Sequence, residues 1–328
     1  MKKMQILVSG LLMMKQKGST LQRRNGREHQ QRGLTLIELM VSLVIGLLLA
    51  IIASSTYLYS KQAYNVVSEN AQLEENGRFA LNLLTKQIQS AGFTTLDERA
   101  QFPNVPVDFK ITGCSFGMVR PGAPTAASDF GCVNAAPAGA MPSASLAVFY
   151  DTDAFTTAGA NFQGFDCMGN AAVTVVKPTA LVSGTTSNEV RNYFFISDTV
   201  VQTPSGTTTM GQLSCVTDQN TGGSAVYTVV SQPLLSGIQQ INFAYMTATG
   251  PDPQTPQARR DASLFLTPAD WTRVIAVEVC VLAKSVQPSG NDVQSNYTDC
   301  FGNAFVAPAS QTFRRMTTLV NLRNRTTG

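Results

Sequence analysis

The sequence predicts an α+β protein: one long amino-terminal α-helix, membrane-spanning over its first half, packed on a mainly antiparallel β-sheet head with long disulfide-bridged loops. Three observations lead there. An apolar run of 20 residues opens at Leu34 and closes at Ala53, enough at about 1.5 Å per residue to cross the roughly 30 Å hydrocarbon core of a bilayer. No proline interrupts the 59 residues from Leu34 to Gly92, most of which are good helix formers. Beyond Gly92, short runs rich in Val, Ile, Tyr and Phe alternate with clusters of Gly, Pro, Ser, Thr and Asn, and all six cysteines fall there.

Residues 1–33 form a basic, polar leader that carries 8 Lys or Arg and the single acid Glu28. A positive charge excess ahead of an apolar span places that end in the cytoplasm and the remainder outside. A secretory signal with its core at Met4 to Met14 fits poorly. Ser9 and Gly10 interrupt that core, no small-x-small cleavage pattern follows, and a stronger apolar segment comes next. A start at Met13 or Met14 would change nothing downstream. The third reading is a leader removed at the Gly33/Leu34 bond.

The apolar run contains one acid, Glu38. A carboxylate there costs roughly 2.5–3.5 kcal/mol on insertion scales, so it calls for a partner and a task. No simple anchor requires it. Past the span the helix turns amphipathic. Leu73, Ala80, Leu84, Ile88 and Ala91 form a stripe, widened by Leu81, with Glu69, Glu74, Glu75, Arg78 and Lys86 largely off it. That stripe is expected to dock on the head. Gly77 reads as a weak point costing up to about 1 kcal/mol, and Gly92 as the end signal. The domains are therefore 1–33 leader, 34–92 helix (34–53 transmembrane) and 93–328 head.

The head's 236 residues suffice for a core. Strands are expected at Ser145 to Tyr150, Ala172 to Val176, Val190 to Ile196, Ala225 to Ser231, Ile238 to Met246, Arg273 to Ala283 and Thr312 to Leu322. In the sixth, Ile275, Val277, Val279 and Val281 share one face, and Ala276, Glu278, Cys280 and Leu282 the other. A strand apolar on nearly both sides is central, with the helix across one face. The connectors Gly113 to Ser143 and Thr247 to Pro268, the latter with Pro251, Pro253, Pro256 and Pro268, read as exposed loops. No internal repeat is evident.

Charge and chemistry exclude several functions. Without its leader the chain carries 16 bases and 20 acids, a net −4, so no nucleic-acid partner is expected. The cluster Arg314, Arg315, Arg323 and Arg325 reads as a strand edge guarded by charge. The single histidine, His29, belongs to the leader, which removes Ser-His and Cys-His nucleophile pairs. No enzyme activity, cofactor or metal is expected: there is no C-x-x-C, and Asp151, Asp153 and Asp166 read as loop acids without the spacing of an EF-hand.

Cys114, Cys132, Cys167, Cys215, Cys280 and Cys300 are disulfide candidates in an oxidising periplasm. Sequence cannot choose among 15 pairings. Nearest-neighbour pairing gives Cys114 with Cys132, Cys167 with Cys215 and Cys280 with Cys300. The competing reading, a buried free thiol, suits Cys280 best because it sits mid-strand.

GLTLIELMVSLVIG, from Gly33 to Gly46, resembles the class III signal of type IV pilins and pseudopilins. Leu34 departs mildly from the Phe more usual in that family. The resemblance implies cleavage after Gly33 by a prepilin peptidase and N-methylation of Leu34. It further implies that Glu38 pairs with the α-amine of a neighbouring subunit; the amine of its own Leu34 is the local alternative. ENGRFALNLLTKQIQSAGF (Glu75 to Phe93), LLSGIQQINFAYM (Leu234 to Met246), WTRVIAVEVCVLAKS (Trp271 to Ser285) and VNLRN (Val320 to Asn324) are similar to PilW-type minor pilins. The middle, about 93–224, carries no resemblance.

The resemblance thus implies a minor pilin that primes assembly of a type IV pilus and forms part of its tip complex, with links to adhesion and twitching motility. Its partners would be the prepilin peptidase, other minor pilins, the major pilin, the inner membrane and a tip adhesin. It would sit in the inner membrane before assembly and on the pilus or cell surface after. Alternatives are a J-like tip pseudopilin of type II secretion, whose heads are smaller, a membrane-tethered periplasmic enzyme or binding module, and a major filament-forming pilin.

Overall fold

A computed structural model describes residues 35–93, 111–117, 132–133, 135, 141–151, 155–157, 160–162, 166–169, 175–176, 186–187, 189–203, 206–217, 231–248, 258–265, 268–285, 295–308 and 311–324. Two compact units divide the chain, one ending at Tyr57 and one starting at Leu58. Helix α1 spans Leu36–Ser90 without a break. In the first unit its apolar side chains, Leu39, Val41, Ile45, Leu49 and Ile52 among them, are exposed on every side. A helix apolar all round needs a protein core or a membrane to cover it.

In the second unit, Leu73, Gly77, Ala80, Leu84 and Ile88 of α1 are buried. Their spacing of four, three, four and four keeps them on one face. The helix ends at Ser90, and Gly92 follows with φ +73 and donates its N–H to the Phe149 carbonyl at 2.9 Å. Gly77, expected as a weak point, is instead part of the buried stripe. A Cβ there would stand 2.5 Å from the Met316 methyl carbon.

The head begins with β1 (Ile111–Cys114), β2 (Ser145–Asp151), β3 (Phe155–Thr157), β4 (Ala160–Phe162), β5 (Val175–Val176), β6 (Thr186–Ser187), β7 (Glu189–Thr203) and β8 (Gly206–Thr217). It continues with β9 (Gln232–Ser236), β10 (Ile238–Thr247), β11 (Ala258–Asp261), β12 (Val274–Lys284), β13 (Asn296–Thr298), β14 (Ala304–Val306) and β15 (Phe313–Asn321). One sheet has the order β1-β2-β7-β8-β9 and a second the order β11-β10-β12-β15; three two-stranded ribbons complete the described strands. All described pairings are antiparallel.

The two sheets are joined at Gly237, the residue between β9 and β10. Its N–H donates to Gly211 and its carbonyl accepts from Lys284 N–H, and its φ of +85 turns the chain sharply enough for one strand path to serve both sheets. Both sheets face one core. Leu84 and Ile88 of α1 share it with Leu146, Phe194, Leu213, Ile241, Val279 and Val281. Strand β12 is interior, between β10 and β15. Val277, Val279 and Val281 face the shared core, whereas Ile275 packs with Ala248 and Ala276 in a separate cluster. The expected common face thus breaks at Ile275, next to the register shift at Met246/Thr247.

Other expectations shift as well. The fourth expected strand, Ala225 to Ser231, lies outside the described residues apart from Ser231, which is not in a strand. Of the second, Val175–Val176 is strand and residues 172–174 lie outside the described residues; the third lengthens to Thr203 because β8, not expected at all, pairs with it along Asn192–Thr203. The connector Thr247 to Pro268 holds β11, which pairs with β10.

Candidate assembly interface

Thr35 is the residue ahead of α1, and its side chain and carbonyl both accept from Glu38 N–H, at 3.4 and 3.1 Å. Thr35-Leu36-Ile37-Glu38 is thus a capping-box sequence, with Thr as cap and Glu at the third helical position. An acid in the first turn also complements the positive end of the helix. Between Thr35 and Ser60, Glu38 is the only charged side chain, and it is exposed. No base among the described residues pairs with its carboxylate. Ser42, Ser55 and Thr56 turn their hydroxyls back to the carbonyls of Leu39 and Ile52, at 2.9 Å. These hydroxyls are thereby satisfied within the helix, so Glu38 stands out on this surface as the group still seeking a partner. Gly33 and Leu34 lie outside the described residues. The helix is long and apolar enough to cross a membrane.

Side-chain amides that sequence reasoning did not single out brace the head, Asn192 and Asn324 tying it to α1. Asn192 of β7, fully buried, donates to Gln87 Oε1 at 3.0 Å and Tyr150 Oη at 3.2 Å, while its Oδ1 accepts from Cys167 N–H at 3.1 Å. Asn324 donates to the carbonyls of Gln89 and Ala91, at 3.0 and 3.4 Å, answering two carbonyls at the helix end that lack an intrahelical partner. Gln240 bridges Pro142 O and Cys300 N–H, each at 2.7 Å, and Asn242 donates to Cys300 O at 3.1 Å. For Gln240 and Asn242 the sequence signal is an amide inside an otherwise apolar strand, QQINFAYM.

The structure pairs Cys114 with Cys132, Cys167 with Cys215 and Cys280 with Cys300, at Cα separations of 5.2, 6.4 and 5.6 Å. Cys280 is therefore not a free thiol. Its bond ties β12 to the turn between β13 and β14. There Asp299, fully buried, accepts from the N–H groups of Phe301 and Asn303 at 2.9 and 2.7 Å. Tyr297 beside this turn lies flat on Phe313, with centroids 4.3 Å apart.

Tyr245 of β10 is sealed by Phe265 and Trp271, which stack on each other at 4.3 Å. Burial raises its phenol well above the ordinary value, and Asp261 adds to the effect. The buried Lys284 ammonium is pushed the other way by desolvation, offset in part by Asp198; it donates to Thr209 O at 3.2 Å.

Of the expected loop acids, Asp166 departs from a solvated reading. Asp153 lies outside the described residues, Asp151 ends β2, and Asp166 is buried and accepts from Met168 N–H at 2.8 Å. Among the described residues no group of three His, Cys, Asp or Glu stands close enough to hold a metal. Arg314 and Arg315 do lie on a sheet edge, since β15 ends its sheet. Arg314 reaches Glu74 at 3.5 Å. Arg323 is exposed beyond that strand, and Arg325 lies outside the described residues.

Comparison with known proteins matches both ends of the chain. Residues 194–324 match the family model described as Type IV Pilus-assembly protein W, and residues 29–54 match the Prokaryotic N-terminal methylation motif. No curated protein matches. Among solved structures, a type IV-like pilin, TTHA1219 from Thermus thermophilus, aligns over 77% of this chain and 98% of its own at 9% identity and a TM-score of 0.36. A methylation motif leading into an apolar helix, joined to a PilW match from residue 194 of β7 through β15, makes this chain similar at both ends to type IV pilins of the PilW type.

Proposed function

We propose that the protein is a minor pilin that primes assembly of a type IV pilus and takes a place in its tip complex. In this reading it is a structural rather than a catalytic protein, and its signal motif and apolar helix support membrane anchoring before assembly. The observation that carries the reading is the union, in one chain, of the PilW match with a motif whose helix bears a single acid, Glu38.

In this reading a prepilin peptidase cuts between Gly33 and Leu34, and the new amine on Leu34 is methylated. Glu38 first holds the amine of its own chain, one turn away, and then that of a neighbouring subunit when the apolar helices pack together. The exposed apolar surface of α1 supports this, since lipid or other helices must cover it. Removing one member of such a buried pair leaves an uncompensated charge, at a cost of about 3–5 kcal/mol. Other minor pilins, the major pilin and a tip adhesin are the partners it would join.

The test is the amino-terminal mass of the membrane-extracted protein, with and without a prepilin peptidase. N-methyl-Leu34 appearing only with the peptidase supports the reading; an intact leader in both cases, or a cut elsewhere, overturns it. Glu38→Ala is expected to be cut normally yet to be depleted from sheared filaments. Undiminished incorporation by immunoblot would rule out the assembly role of that carboxylate.

A further inference from the structure

Four strands end the two sheets, and three of them are poor docking edges. β1 and β11 have four residues each, and β9 has five with Pro233 among them, which are the devices by which proteins blunt an edge. β15 differs. It has nine residues, Phe313–Asn321, without proline, and pairs in unbroken register with β12 alone. Arg315, Thr317, Leu319 and Asn321 alternate onto one face and are all exposed, Leu319 at 58%. The β7–β8 hairpin also runs past its neighbours, but Phe195–Thr203 there holds one charged residue, Asp198, within electrostatic range of Lys284.

The charge on β15 selects the kind of strand it can take. Phe313–Asn321 contains two arginines and no acid. A second copy of β15 would therefore bring four arginines into one ribbon, where Glu74 answers each Arg314 at 3.5 Å and the strands themselves offer no acid to either Arg315. An acid-bearing strand would answer them, with the backbone ladder giving affinity and the side chains giving choice of partner. We propose that the open edge of β15 receives an extended strand bearing Asp or Glu from a different subunit of the same filament. The inference rests on the pilin reading above for the class of partner.

The test places a photo-crosslinking amino acid at Thr317 of the full-length chain in cells that assemble the filament. The adduct is mapped by mass spectrometry, and the chain is assayed in sheared filaments from the same cells. The expected result is an adduct on another pilin-class subunit, in a segment with an acid within about three residues of the joined position. Arg315→Glu is expected to lower its yield about fivefold or more, and Arg315→Lys to hold it within about twofold, with all three disulfides retained. An adduct on a second copy of this chain, an adduct on a segment without acids, a yield unmoved by Arg315→Glu, or no adduct from chain present in filaments overturns the edge proposal and leaves the pilin reading standing. Chain absent from filaments but still forming the acidic-strand adduct overturns the pilin reading instead, and absence of both overturns both.

Discussion

Met316 of the last strand packs its thioether directly over Gly77 of α1, where a Cβ would stand 2.5 Å from the methyl carbon and 2.7 Å from the sulfur. The glycine is the site at which β15 approaches the helix, and its flexible backbone is incidental. Since the blocking atoms are the far end of a flexible side chain, Gly77→Ala is expected to be nearly neutral, the helix gaining up to about 1 kcal/mol as the thioether swings aside. Gly77→Val adds branched bulk that Met316 cannot clear and should cost about 1–3 kcal/mol. Denaturant unfolding of the detergent-solubilised protein, followed by tryptophan fluorescence, compares the two.

Asn192 joins α1, β2 and the Cys167 turn through a single side chain. Asn192→Leu removes three bonds and leaves the Cys167 N–H and the Gln87 amide without their partner, so a loss of about 2–4 kcal/mol is expected. Gln87→Ala removes only the helix's share and should cost about 1 kcal/mol. Equal losses in the two variants would contradict the network.

Alkaline pH should find Tyr245. Its folded-state pKa is raised above the ordinary 10.0, so above pH 10 the unfolded chain loses a proton that the folded chain keeps. Stability present below pH 10 then falls as pH rises, by about 1.4 kcal/mol per unit for this residue. Tyr245→Phe removes the dependence. It should be near-neutral at pH 7, because the buried hydroxyl has no hydrogen-bond partner among the described residues. Unfolding curves at pH 7 and 11 for both proteins give the comparison.

The Cys280–Cys300 bond closes a stretch of 20 residues. Replacing both cysteines by alanine should cost about 3 kcal/mol in the chain-entropy account. Proteolysis should begin at the β13–β14 turn, while Gln240 and Asn242 still hold the Cys300 backbone. First cleavage elsewhere in the head would contradict that order.

The helix and its buried face were legible because a 3.6-residue apolar period is a local signal: Leu73, Ala80, Leu84 and Ile88 mark it without knowledge of their partners. β12 was legible because apolar residues on both faces need a layer on each. β8 was not, since GTTTMGQLSCVT offers Thr, Gly and Ser in place of an apolar run, and it is a strand because β7 pairs with it throughout. β11 hides in a proline-rich connector and is made by its pairing with Tyr245 and Met246. In the candidate site, Glu38 could be read from sequence because an acid within an apolar span is conspicuous. Asn192 and Asn324 could not, because their bonds reach 105 and 235 positions along the chain.

The separation of Gln89 from Asn324 also sets an order of events during synthesis. The carbonyl of Gln89 waits for an amide that leaves the ribosome 235 residues later, and the core face of β12 is incomplete until Met316 and Val320 arrive. A head built on contacts so distant in sequence folds slowly relative to one of local contacts. The apolar stripe of α1, buried in the finished head, must therefore remain uncovered through most of elongation.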